Sequence, residues 1–221
     1  MRPIISLLML LLVAACVPSP QSLDLREICS QELSAATVAE QHWLNQADTW
    51  RLRQSALLEL RGRKFAFEGF MMLDLSEQQL HMVAMNEMGV VFFELIVTPD
   101  DQELRRVLPQ LQQQRGLAEG IAASLRRIYL KPQPQTTDLA QMQPTRLSLS
   151  RPVVDGNLSF VFDCDGRLRA ARSRSDTQDW QVIYENYQGI TDRPVPEKIV
   201  MNNFQQAVTL TVWQREITLE P

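Results

Sequence analysis

Histidine and glycine are scarce in this chain, at two and eight residues out of 221. His42 and His81 have no cysteine or carboxylate at ligand spacing, and a zinc site needs three or four ligands, so no metal site is expected. The few glycines leave no material for a phosphate-cradling loop, and no serine stands in a nucleophile-elbow setting. Charge of one dominant sign is also missing. The 22 basic residues face 26 acidic ones, a net charge of −4. That balance argues against nucleic acid and anionic lipid surfaces as electrostatic partners. Past residue 15, no apolar run nears the ~20 residues of a membrane-spanning helix. The chain therefore reads as non-enzymatic, with no catalytic residue and no cofactor expected.

What is present begins at the first residue. Residues 1–16 read MRPIISLLMLLLVAAC. A basic Arg2 precedes an apolar run of about ten residues, the length of a secretory h-region rather than a membrane span. Small residues then lead directly into Cys16. This resembles the lipobox of bacterial lipoproteins, with an ordinary signal peptide and a chance cysteine as the plainer alternative. The resemblance implies cleavage before Cys16, a diacylglyceryl thioether on its sulfur and acylation of its new amino group. It divides the chain into a signal peptide (1–15), a lipidated Pro/Ser tether (16–22) and a single domain (23–221). Loss of Arg2 with the signal leaves 21 basic residues (22 − 1) against 26 acidic ones. Val17, where lipoproteins retained at the inner membrane carry Asp, implies the periplasmic face of the outer membrane. Two further cysteines remain, Cys29 and Cys164. An oxidising compartment permits a bridge between them, but spacing alone leaves open two buried thiols acting as small hydrophobes.

Residues 24–44 have the stripe of a helix: Leu25, Ile28, Leu33, Ala36, Val38, Ala39 and Trp43. From Trp50 the period becomes two. Four antiparallel strands with short turns are expected up to Thr98, the last of them (VVFFELIVT) central and covered on both faces. Pro99-Asp100-Asp101 reads as a helix start, followed by a stripe of Leu104, Val107, Leu108 and Leu111. A second helix is expected over 117–130. The Pro-rich segment 131–144 reads as a loop. Six or so strands follow, including one at 168–174 whose Arg169, Arg172 and Arg174 suit a sheet edge. Without βαβ alternation the fold class is α+β, an antiparallel sheet with helices packed on it.

Polar candidates are few. Asp163 and Asp165 flank Cys164 beside the Gly166 turn, where a solvated hairpin end is expected rather than acid–base work. Bulky apolar residues are more prominent. Phe65, Phe67, Met71, Met82, Phe93, Phe160, Phe162, Trp180 and Tyr184 are candidates for one face. A curved sheet with that face covered by helices encloses either an acyl-chain cavity or a filled core.

This order of elements behind a lipobox resembles the Lol-type fold of the periplasmic lipoprotein carrier and its outer-membrane receptor. Residues 62–93 and 180–203, the latter with Trp-x-Val-x-Tyr followed by Pro-x-x-Ile, resemble a family of small uncharacterised outer-membrane lipoproteins. The resemblance implies an unclosed half-barrel with helices packed on its concave side. It implies a non-enzymatic role, binding lipid or lipoprotein acyl chains and assisting their traffic at the outer membrane. The receptor of that fold carries an exposed apolar loop residue, for which Met88 at a turn is the candidate here. The alternative is a structural or assembly lipoprotein contacting an envelope protein.

Overall fold

The computed structural model describes residues 23, 25, 27–44, 48–60, 62–112, 116–130, 132–190 and 193–220. The signal segment, Cys16 and the tether lie outside the described residues. Twelve strands follow one another: β1 (Thr49–Leu60), β2 (Arg63–Asp74), β3 (Gln79–Met85), β4 (Val91–Val97), β5 (Gln102–Val107), β6 (Leu139–Gln143), β7 (Arg146–Val153), β8 (Gly156–Phe162), β9 (Leu168–Ser175), β10 (Asp179–Ile190), β11 (Arg193–Asn203) and β12 (Val208–Glu220). They form one sheet in the order β5-β4-β3-β2-β1-β12-β11-β10-β9-β8-β7-β6. Every neighbouring pair is antiparallel. Chain-consecutive hairpins build two meanders. They join only where β1 pairs with β12, from Thr49 opposite Glu220 to Leu60 opposite Val208. β5 and β6 each pair on one side, so the sheet does not close.

The sheet is curled. Leu75, Ser76 and Gln78 after β2 line one cleft with Arg151, Val153 and Leu158 of β7 and β8. In a flat sheet the six steps from β2 to β8 would separate them by about 29 Å. Local chemistry supports the turns that make this possible. Gly156 follows the β7–β8 turn residue Asp155, which is in the left-handed region at φ 59°. A Cβ at Gly156 would meet the Arg174 carbonyl oxygen at 2.2 Å, so only glycine lets β8 run so close to β9.

Among the described residues the helices are few: α1 (Ala35–Glu40), the four-residue α2 (Pro109–Gln112), α3 (Leu117–Leu125) and a π-helical turn (Arg126–Leu130) that continues α3. Ile121, Ala122, Leu125, Ile128, Tyr129 and Leu130 belong to the same buried cluster as the inward residues of the strands. That cluster, with its partly buried margin, runs from Leu33 to Leu219, so residues 17–221 contain all of it.

Five expectations are corrected. The helix over 24–44 shrinks to Ala35–Glu40, started by Ser34, whose hydroxyl accepts from the Thr37 N–H. The stretch around Leu104 is strand β5, because it finds a ladder on β4, with Leu104 opposite Leu95. The segment 131–144 contains β6, which pairs with β7. The arginine-bearing β9 is interior, between β8 and β10; Arg169 pairs with Asp163 and Arg172 with Asp179. β4 is likewise next to an edge rather than central, and its residues alternate in burial.

Candidate functional site

The nine residues proposed to line a cavity do share one face and one cluster. Phe67, Met71, Met82, Phe93, Phe160, Phe162, Trp180 and Tyr184 are all buried, and Phe65 is partly buried against them. Phe67 and Phe93 meet edge to face at 5.8 Å between centroids, a favourable aromatic geometry. The helical segment 117–130 packs on this face. Its Tyr129 hydroxyl donates to Gln54 Oε1 at 2.9 Å and accepts from Gln214 Nε2 at 3.2 Å. The Tyr184 hydroxyl donates to the Ile128 carbonyl at 3.4 Å. Trp43 lies edge-on to both Trp50 and Tyr129, 6.1 Å from each. The central face is therefore filled, and burial raises both tyrosine phenols far above their ordinary range.

Open space lies at the ends. The larger groove, of about 1170 Å³, runs between α3, the β1–β2 hairpin and the β11–β12 turn. Leu58, Leu60, Phe65, Leu117, Ile121 and Val208 form its apolar walls, with Arg63, Glu119 and Arg127 as its charges. Of the nine predicted cavity residues only Phe65 reaches it. Gly120 makes room: a Cβ there would meet nothing within 4 Å. The groove's other determinants, Arg127 and Gly120, escape a search for apolar alternation. The signal that could have found Gly120 is its place inside a helical stripe, four residues after the left-handed N-cap Gly116, where it leaves the helix face bare.

The second cleft, of about 850 Å³, is lined by Leu44, Leu75, Leu130, Arg151 and His42 among others. His42 is buried; its Nδ1 accepts from the Leu44 N–H at 3.1 Å, and burial lowers its pKa from 6.5 to about 4. The folded state thus holds the imidazole neutral while the unfolded chain protonates it below 6.5. Stability from this group is complete above pH 6.5 and is lost as pH falls toward 4. Between pH 7.5 and 4.5 the expected loss is about 2–3 kcal/mol. Urea unfolding at the two pH values should show it, and His42→Gln should flatten it. An unchanged slope in the variant would assign the pH dependence to carboxylates instead.

The polar candidates stay apart. His81 pairs with Glu94 at 3.0 Å, Asp163 with Arg169 at 3.8 Å and Arg172 with Asp179 at 3.3 Å. Burial is the main cause of an upward shift at Asp163. Among the described residues, no three His, Cys, Asp or Glu side chains could together hold a metal. Cys29 and Cys164 are joined in a disulfide with their Cα atoms 4.7 Å apart. Met88, at the β3–β4 turn, is 84% exposed.

A profile of the family described as "Protein of unknown function (DUF3261)" matches residues 51–215. No curated protein matches the sequence. Solved structures similar to the chain include a LolA superfamily protein from Nitrosomonas europaea, with 11% identity, 86% of this chain and 95% of that one covered, and a TM-score of 0.48. A domain described as outer-membrane lipoprotein-sorting, from Vibrio parahaemolyticus, has 8% identity, coverage of 84% and 90%, and a TM-score of 0.47. A DUF1329 family protein from Desulfovibrio piger has 7% identity, coverage of 84% and 90%, and a TM-score of 0.48. The family match, to proteins of unknown function, agrees with the sequence resemblance to an uncharacterised family.

Proposed function

From a chain that belongs to the DUF3261 family, whose members are proteins of unknown function, we propose an outer-membrane lipoprotein that binds a lipid or acyl group and assists lipid or lipoprotein traffic. It is non-enzymatic, held to the periplasmic face by lipid on Cys16. The observation that carries the reading is the groove of about 1170 Å³ between the unclosed sheet and the helical segment 117–130, with leucine, isoleucine, valine and phenylalanine walls. Ordinary ligand pockets hold about 300–1,000 Å³; this groove is somewhat larger, and Arg63, Glu119, Arg127, Gln205 and Gln206 share its walls with the apolar residues. In this reading the segment 117–130 is a lid on the concave side of a half-barrel. The buried aromatic face beneath it becomes available when the lid lifts. Met88, exposed on a hairpin tip, is the side chain suited to touch the membrane.

The test is chemical. Residues 17–221, secreted without the acylated cysteine, should carry lipid that appears by mass spectrometry of an organic extract. The same protein should bind a fluorescent fatty acid. Clean extracts together with no fluorescent binding would falsify the lipid reading. A second reading, an assembly lipoprotein contacting an envelope protein, is favoured by the open edge β6, where Leu139 is 70% and Met142 38% exposed; unpaired edges recruit strands. One stoichiometric protein crosslinked through β6 in intact cells would select it.

A further inference from the structure

We infer that the groove between α3 and the β1–β2 hairpin takes a single-chain amphiphile with an anionic head, and that Arg127 reads that head. This rests on the lipid reading above and adds the chemistry of the ligand. Arg127 lies in the groove wall, with its guanidinium 5.5 Å over the Trp180 ring. Its Nη1 is buried and has no hydrogen-bond partner among the described residues. Among the described residues no carboxylate pairs with it, and burial lowers its pKa to about 10. At neutral pH it stays protonated. A buried, charged donor left unpaired is costly, and an oxyanion from a ligand would remove that cost.

The neighbouring arginine is not in this condition. Arg126 donates to the Thr98 carbonyl, the Asp101 carbonyl and Gln102 Oε1. Of the two arginines, the one with the free donor is the one that lines the groove; its Nη1 is sealed against Trp180 and meets an oxyanion when the guanidinium turns toward the groove. Glu119, the groove's one carboxylate, is exposed. It precedes Arg127 by eight residues, roughly 12 Å along the helix. An anionic head therefore seats at the Arg127 end, and the chain runs along Ile121, Phe65 and Leu117. Arg63, on the hairpin, adds positive charge at the rim. A carboxylate and a phosphate both satisfy a guanidinium, so the shared property is the anionic head on one acyl chain.

The experiment is displacement of cis-parinaric acid from residues 17–221 by three competitors of equal chain length: palmitate, 1-palmitoyl-lysophosphatidate and palmityl alcohol. Both anions should compete at concentrations at least about tenfold below the alcohol, the size expected for a charge-assisted hydrogen bond. Whichever anion competes better identifies carboxylate or phosphate as the head. Arg127→Leu should bring the anions to the alcohol's level, and Arg127→Lys should keep most of the preference. Gly120→Leu, which places a side chain in open space, should abolish binding of all three while unfolding remains cooperative. Equal competition by anions and alcohol, or a preference that survives Arg127→Leu, overturns the inference and leaves the lipid reading standing. No competition by any of the three overturns both.

Discussion

Removing the Cys29–Cys164 bond should lower the stability of the folded chain by about 3–4 kcal/mol, through Cys29→Ser with Cys164→Ser or through a reductant. The bond closes a loop of 135 residues. Chain entropy alone assigns a loop of that size about 5 kcal/mol. The expected loss is smaller because the bond's N-terminal partner is peripheral. Cys29 is followed by coil up to Ser34, and the residue's own backbone contact is a 2.8 Å bond from its N–H to the Pro144 carbonyl. Without the bond, residues 27–34 can detach while the sheet stays folded, which returns part of the entropy to the native state. The segment beyond is held independently, by Val38 and Trp43 in the core. Urea unfolding of wild type and double variant, at matched pH, measures the difference. A loss under about 1 kcal/mol would mean that the α1 segment detaches in full and that the sheet does not depend on it.

The strands that were legible in the sequence are those with one dry face. Leu158, Phe160 and Phe162 alternate inward on β8, and Leu80, Met82 and Ala84 do so on β3. Alternation is a local imprint of burial, so it can be read one residue at a time. β5 and β6 were not legible, because edge strands have little burial to record. Four of the six β5 residues and four of the five β6 residues are exposed. Each strand is held by a single hairpin partner, β5 by β4 and β6 by β7, so backbone pairing rather than burial fixes them. Leu104, Val107, Leu108 and Leu111 also satisfy helical spacing, and pairing with β4 overrides it. The N-terminal helix fails for a different reason: Ser34 offers a cap in mid-stripe, and the disulfide ties the residues before it to another part of the sheet. The site was legible only as an apolar face. Which apolar residues would be sealed and which would line open space depended on where the 117–130 helix came to rest.

That helix is fastened most deeply by the Tyr129 hydroxyl and its two amide partners, and breaking this contact should have the largest single-residue effect in the molecule. Tyr129 is fully buried, edge-on to Trp43, with its hydroxyl between Gln54 and Gln214. Tyr129→Ala removes the ring and leaves both amides unanswered; the expected cost is about 4–5 kcal/mol, at the upper end for a large aromatic. Tyr129→Phe keeps the ring and strands the amides, for about 2 kcal/mol. The fit leaves no slack for repair: a Cβ at Gly69 would come within 3.1 Å of Gln54 Cγ and 2.9 Å of Met82 Cε. Even intact, the network is half satisfied, since Gln54 Nε2 and Gln214 Oε1 lack partners. An apolar replacement of all three members, Gln54→Leu with Tyr129→Phe and Gln214→Leu, should therefore be more stable than Tyr129→Phe alone. Its stability should approach wild type, because a missing hydrogen bond costs most when one partner stays behind. If the 117–130 segment is the moving element, the two variants should part company in function. Tyr129→Phe should take up a fluorescent fatty acid faster than wild type, and the apolar triple variant should take it up no faster. Uptake rates that simply follow stability across the series would support this. Equal rates in all three would show that ligand enters the end groove without disturbing Tyr129, leaving the buried aromatic face as permanent core.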